Sequence, residues 1–377
     1  MSIRFDRIKK AQELMHEHDL VGIMIMNHDD YRYFFGRDWA QPRAIIPAIG
    51  EPVMISFTAE EPEFRQYIDS GEIKTFSHVG KQIKDVSDTF RKIAIAQGND
   101  PDGNKPKVGM QMWFDTPAFL VDLFRTVNPR VELVPSDPVI DALRKVKEPE
   151  EIELMKEAQR IATLGMDIIQ EMLQPGILTR ELAAEAMYTM MKAGAERTST
   201  PIYINTGAFT CMAHGHLSPG PIKEGELIAV NLNPQIEVYC ANLARTFVIG
   251  KPDKTQQKLY KTYLEMKEET RKNLKPGVKV KDLDAIGKDI CNKYGLGENH
   301  IEGISHGIGL RFEEIPASTI IRTHRNFILE ENMTLTIGHT ILAVPGTGGV
   351  RFEDVYRVTP DGGDILQPYK IDFSLPA

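Results

Sequence analysis

Three histidines in this chain stand where proton transfer could be used. His214 and His216 lie in "CMAHGHLSPGPIKEGE", a Gly/Pro-rich loop that precedes a strand. Imidazole titrates near neutrality, so a histidine held by a rigid loop can take and return a proton within one turnover. The bland alternative is a solvated loop side chain. His306 sits between small residues in "ISHGIGLRFEEIP", followed by Arg311, Glu313 and Glu314. Glycines beside a histidine let a ligand approach the backbone closely, although the same pattern also builds a plain tight turn. "TILAVPGTGGVRFEDVYRV" ends in Glu353 and Asp354 on a strand. Its GTGG reads as a hairpin turn and not a phosphate cradle, because no helical pattern follows it. His16 and His18 are assigned to the polar face of the first helix.

"GELIAVNLNPQIEVYCANLARTF", Gly225 to Phe247, reads as two strands joined by a bend, with polar Asn231 and Asn242 interrupting the apolar faces. Amides in such places exchange hydrogen bonds, whereas aspartates would attract a cation.

The elements that must position these groups fall into two halves. Residues 1–142 alternate helical and strand patterns: "RFDRIKKAQELM" has apolar spacing near the helical period, "LVGIMIMN" is a buried strand, and "AIIPAIGEPVMISF" is two strands about a Gly50-Glu51-Pro52 turn. "EPEFRQYIDS", "IKDVSDTFRKIAIAQG" and "TPAFLVDLFRTVN" read as helices, "KVGMQM" and "VELVPS" as strands, and "GNDPDGNKPK" as a surface loop. Residues 143–377 open with a long helix near Pro149, where proline and acids suit a helix start. A second helix follows, with Thr179 as its expected cap. "KTQQKLYKTYLEMKEETRKNL" and "VKDLDAIGKDICNKYGL" form another helical pair, and strand-rich sequence follows each pair. That order suggests an internal duplication.

Composition narrows the function classes. The 377 residues are 42% apolar and 26% charged, with a net charge of −8, as in a globular protein of two domains. Basic residues are scattered, which argues against a nucleic-acid partner. No apolar run approaches the ~20 residues of a membrane span, and the N-terminus lacks an apolar signal core, so a cytoplasmic protein without a membrane partner is expected. Cys211, Cys240 and Cys291 are odd in number and far apart, which suits a reducing compartment.

Taken in order, "HGH", the Asn231/Asn242 hairpin, "SHGIG", "TLTIGHTI" and "GGVRFED" resemble the motifs of the creatinase/prolidase/methionine aminopeptidase group, which has the pita-bread fold. The resemblance covers essentially the whole chain. It implies a creatinase/prolidase-type N-terminal α/β domain, residues 1–142. A pita-bread domain with pseudo-two-fold duplication, residues 143–377, would follow, and the class overall is mixed α/β. The metallopeptidases of this group hold two divalent ions with two Asp, one His and two Glu. Their places here carry Asn231, Asn242, His306, Gly338 and Glu353. Losing three of four anions, each worth roughly 4 kcal/mol to an ion at ~4 Å and an effective dielectric near 20, argues against a paired-ion site.

By that likeness the closest branch is the metal-free creatinase type. It implies a metal-independent hydrolase that cleaves a C–N bond of a small guanidino, amidino or amide compound, with no cofactor, as a homodimer. His214 would be the acid/base, Glu353 would hold a cationic group, and His306 would orient substrate or water. Asn231, Asn242, Tyr239, Arg311, Glu313 and Arg43 would bind substrate. Ala244 replaces creatinase's glutamate before Arg245, which puts creatine itself in doubt, and Glu313 stands where peptidases carry a histidine. The alternatives are an Xaa-Pro dipeptidase or aminopeptidase P-like metallopeptidase, and a non-catalytic pita-bread binding protein.

Overall fold

Six short apolar runs in the first part of the chain assemble into one sheet, in the order Glu72–Phe76, Val53–Phe57, Ala44–Pro47, Leu20–Ile25, Lys107–Met110 and Glu132–Pro135. All pairings are parallel except those of Ala44–Pro47, which runs against both neighbours. Strands buried on both faces read as continuous apolar runs, which is why "LVGIMI" was legible without alternation. The computed structural model describes residues 4–68, 71–98, 103, 105–113 and 116–376, and the chain divides into two units, Met1–Arg144 and Lys145–Ala377. Much of the Gly98–Lys107 loop lies outside the described residues.

Two helices of the first unit were not anticipated. His28–Phe35 is buried on almost every side and spans only eight residues; it begins where the Asn27 side chain accepts from the Asp30 amide. Asp137–Arg144 ends in a buried Arg144 paired with Asp29 at 2.8 Å and Asp30 at 2.6 Å.

The second unit contains the expected helix pairs. Pro149–Met172 opens on a reciprocal Glu148/Glu151 capping arrangement, with Pro149 in its first turn. Thr179 is the first residue of Thr179–Lys192 and not its cap; its hydroxyl donates instead to the Ser218 carbonyl at 2.9 Å. The two helices cross closely at Gly165, where an added Cβ would stand 2.8 Å from Met190 Cγ. Lys254–Lys272 and Val280–Lys293 make the second pair, the first capped by mutual Asp253 and Gln256 bonds.

Each pair covers a sheet. The first packs on Leu227–Leu232 and Leu243–Ile249, whose antiparallel register sets Asn231 opposite Ala244. The second packs on Thr334–Ile337 and Asp354–Thr359. The helix-pair-then-sheet repeat is the duplication expected from the sequence. Ala244 and Glu353 join the two sheets by exchanging both backbone hydrogen bonds at 3.0 Å. The GTGG segment is a turn between Leu342–Val344 and Gly348–Val350, as expected.

Candidate active site

The Ala244–Glu353 junction fixes where the chemistry-bearing side chains go. Side chains alternate along a strand. Asp354 therefore turns to one face, where it pairs with buried Arg245 at 2.8 Å and with buried Lys267. Glu353 turns to the other, and there it is fully buried.

Two histidines meet Glu353. His306 Nε2 lies 3.6 Å and His339 Nδ1 3.3 Å from Glu353 Oε1, and the two rings are perpendicular with centroids 4.6 Å apart. His306 is fully buried, and its Nδ1 lies 2.9 Å from the Gly307 carbonyl, which requires a proton on that nitrogen. His339 Nε2 faces Glu313 Oε1 at 3.7 Å, and Glu313 also accepts from Thr319 Oγ1 at 2.9 Å. Tyr263, from the Lys254–Lys272 helix, donates to the carbonyls of Gly338 at 2.5 Å and Thr340 at 2.7 Å, and so holds the backbone on both sides of His339.

The ionisation states follow from burial set against charge. Burial pushes the Glu353 pKa upward, but His339, His306 and Arg351 outweigh it and hold the carboxyl well below its ordinary value. Burial lowers His306, yet Glu353, Glu313 and the Gly307 carbonyl raise it overall. Burial prevails for His339, which is lowered. Neither contact with Glu353 is a well-aligned hydrogen bond: His306 Nε2, His339 Nδ1 and both Glu353 oxygens are buried without a partner among the described residues. A buried donor or acceptor left unsatisfied costs about 1–3 kcal/mol, which marks the cluster as a place suited to hold a ligand.

The neighbouring amides bond to one another in part, while Asn242 Nδ2 and Asn233 Oδ1 are buried without a partner among the described residues. Asn231 Nδ2 donates to Asn242 Oδ1 at 3.0 Å, Asn233 Nδ2 donates to Asn231 Oδ1 at 3.2 Å, and Gln159 donates to the Asn242 carbonyl at 3.3 Å. The paired-ion centre that the resemblance implies for peptidases does not fit here. The Asn231 and Asn242 oxygens are engaged with amide N–H groups. Gly338 brings no side chain, and a Cβ there would stand 2.2 Å from the Phe352 oxygen.

The remaining residues named from the sequence are placed as follows. His214 is exposed on its loop, between tethered neighbours: Arg351 donates to the Ala213 carbonyl at 3.1 Å, and the His216 amide donates to Asn205 Oδ1 at 3.0 Å. Met212 and Gly215 of that loop line a cavity of about 20 Å³ together with Asn231 and Arg351. Tyr239 is buried and donates to Glu151 Oε1 at 2.8 Å, tying its hairpin to the Pro149–Met172 helix. The Arg311 amide lies 3.4 Å from Glu314 Oε2. Arg43 belongs to the first unit, where it donates to Gln41 at 3.3 Å and borders an apolar cavity of about 400 Å³. His306, Glu353 and Glu313 are thus brought together. Sequence reasoning missed His339, whose signal was a histidine directly after the glycine at the missing glutamate's place.

Residues 153–360 match the metallopeptidase family M24 and residues 7–146 the creatinase/prolidase N-terminal domain. An Xaa-Pro dipeptidase of Pyrococcus furiosus is 33% identical over 247 residues, covering 66% of this chain and 70% of that protein. An Xaa-Pro dipeptidase of Pyrococcus horikoshii is 27% identical over 368 residues, covering 97% and 98%. The crystal structure of the prolidase from Pyrococcus horikoshii superposes with a TM-score of 0.85 at 24% identity over 98% of this chain and 99% of that one, which shows the shared fold. These relatives overturn the expectation of a metal-independent, creatinase-like amidinohydrolase. That expectation rested on the Asn231/Asn242 amides, which state what is not bound beside them and not which bond is cut. It also counted Gly338 as a lost ligand without the imidazole that follows it.

Proposed function

The chain belongs to metallopeptidase family M24, and from that premise we propose that it hydrolyses the amide bond of a small dipeptide, of the Xaa-Pro class named for its relatives. The observation that carries this reading is the His306–His339–Glu353 cluster, in which two ring nitrogens and two carboxylate oxygens are buried and converge with no hydrogen-bond partner among the described residues. Evolutionary decay to a plain binding protein would give no reason to keep four unsatisfied polar atoms in a core, because each lowers stability.

His214 is proposed as the group that returns a proton to the leaving nitrogen. Its backbone is held on both sides while its ring stays open to solvent, which suits a proton carrier; such a group contributes about 10²–10⁴-fold. Arg311, half-buried two residues before Glu313, suits the substrate carboxylate through its guanidinium fork. Asn231 and Tyr203, on the small cavity beside the His214 loop, would bind the substrate's polar backbone. Tyr239 and Asn242 support the hairpin that carries Asn231. Arg43 is proposed to serve only in a homodimer, the assembly suggested by the family likeness. Its three free cysteines support a cytoplasmic setting.

The test is direct hydrolysis. Purified protein is incubated with Ala-Pro, Leu-Pro and Met-Pro, and with Ala-Ala for comparison, each with Zn²⁺, Mn²⁺ or Co²⁺, and released amino acid is measured. The reading expects proline release that His214→Ala reduces at least 100-fold. Proline release no greater than that of the variant, under every condition, contradicts it.

A further inference from the structure

We propose that His306, His339 and Glu353 form a binding site for a single divalent transition-metal ion, in which His339 joins two residues that stand at ligand places of the family's two-ion centre. Three observations carry it. The first is convergence. One donor atom from each residue lies within 4.8 Å of the others, and the two contacts to Glu353 are 3.3 and 3.6 Å. Ligands bound at ~2.1 Å to a tetrahedral ion lie ~3.4 Å apart, and both contacts to Glu353 stand near that distance.

The second is the orientation of the imidazoles. The outer nitrogen of each histidine faces an oxygen, the Gly307 carbonyl for His306 and the Glu313 carboxylate for His339. The Gly307 contact places a proton on His306 Nδ1 and turns Nε2 toward Glu353, while His339 turns Nδ1 toward the same carboxylate with Glu313 on its other side. The carbonyl behind His306 is the outer support that metal-bound histidines ordinarily have. Glu313 therefore acquires a role its sequence position did not suggest: it supplies the second negative charge, so that Glu353 and Glu313 together balance a doubly charged ion.

The third is that His339 replaces a ligand and does not merely adjoin one. Gly338, at φ +102°, has no room for a side chain against Phe352. The Tyr263 bonds on both sides of His339 turn the next residue into the site instead. Two imidazoles and one carboxylate suit zinc, cobalt, iron(II) or manganese, and three protein ligands leave a position open for water or substrate. The ion would supply Lewis-acid polarisation of a bound carbonyl. The proposal stands apart from the choice of dipeptide substrate, because it concerns binding alone.

The experiment measures binding alone. Chelator-treated full-length protein is titrated with ZnCl₂ by calorimetry, and with CoCl₂ by visible absorption. The expected result is one ion per chain, with cobalt bands of a low-coordinate nitrogen/oxygen site. His339→Ala and Glu353→Gln should each weaken binding at least 100-fold, and Glu313→Gln about 10-fold. His214→Ala should leave it unchanged. Circular dichroism and urea midpoints establish that each variant is folded; should His339→Ala fail to fold, His339→Gln takes its place. No uptake by the folded parent overturns the proposal. So does uptake of two ions, or of one ion that His339→Ala and His339→Gln bind as tightly as the parent. Binding without dipeptide hydrolysis upholds this site and rejects the substrate reading; hydrolysis by protein that binds no ion does the reverse.

Discussion

Restoring the family's missing carboxylate by Gly338→Glu should damage the protein and not rebuild a two-ion centre. Gly338 has φ +102°, and an added Cβ would lie 2.2 Å from the Phe352 oxygen, 3.0 Å from its carbonyl carbon and 3.2 Å from Glu353 Cα. Phe352 cannot easily retreat. On one side Arg351 donates from its amide to Thr246 Oγ1 and accepts from it; on the other Glu353 exchanges two backbone bonds with Ala244. Forcing a side chain into this backbone region costs about 1–3 kcal/mol. Overpacking against clamped backbone adds about 1–3 kcal/mol, for a total of about 2–6 kcal/mol. Both terms arise at Cβ, so Gly338→Ala should lose nearly as much stability as Gly338→Glu. Urea denaturation of parent, Ala and Glu variants measures this. Were both variants within 1 kcal/mol of the parent, with Gly338→Glu binding a second ion, the backbone would not be what excludes the carboxylate, and the reasoning would fail.

Other consequences are equally open to measurement. Asp354→Asn leaves Arg245 and Lys267 buried beside a neutral amide; removing one partner of a buried ion pair costs about 3–5 kcal/mol, to be read as a lowered urea midpoint. His214→Ala should lower the turnover number for an Xaa-Pro dipeptide about 10²–10⁴-fold with little change in urea midpoint, since the side chain is exposed; an equal loss of stability would assign it to structure instead. Burial lowers the His300 pKa from its ordinary 6.5, ahead of the opposing charge of Asp284, and both ring nitrogens lack partners among the described residues. The unfolded chain then takes up a proton near pH 6.5 that the folded chain refuses, so this contribution is full above that pH and is lost as pH falls below it. The urea midpoint of His300→Gln should fall less steeply than the parent's between pH 7.5 and 5.5; parallel slopes would contradict the assignment.

The elements legible in sequence were the paired helices and the apolar strand runs. The paired helices of the second unit carry a 3.6-residue pattern because each lies on a sheet, and Gly225–Phe247 reads as a hairpin because its strands are apolar runs, buried on both faces. His28–Phe35 escaped notice because eight residues make only about two turns, and its buried Asp29, Asp30 and Arg32 read as a polar stretch. Thr179 suggested a cap by residue type, but its hydroxyl had a better acceptor 39 positions away, which no local rule can see. The site was half legible for the same reason. His306 and Glu353 stand in motifs whose order is informative. His339 becomes a site residue only through the Tyr263 bonds that hold its backbone and the closure of space at Gly338, and both come from distant segments. The creatinase-like expectation failed because it inferred the reaction from side chains absent at fixed positions, whereas the family match and the Xaa-Pro dipeptidase relatives point to peptide hydrolysis.

Anomalous scattering from crystals grown with zinc tests the central claim most directly. One peak per chain is predicted, about 2.0–2.2 Å from His306 Nε2, His339 Nδ1 and a Glu353 oxygen, with Glu313 behind the His339 ring. Two peaks flanking Asn231 and Asn242, or a single peak with the His339 ring turned away from it, would contradict the account.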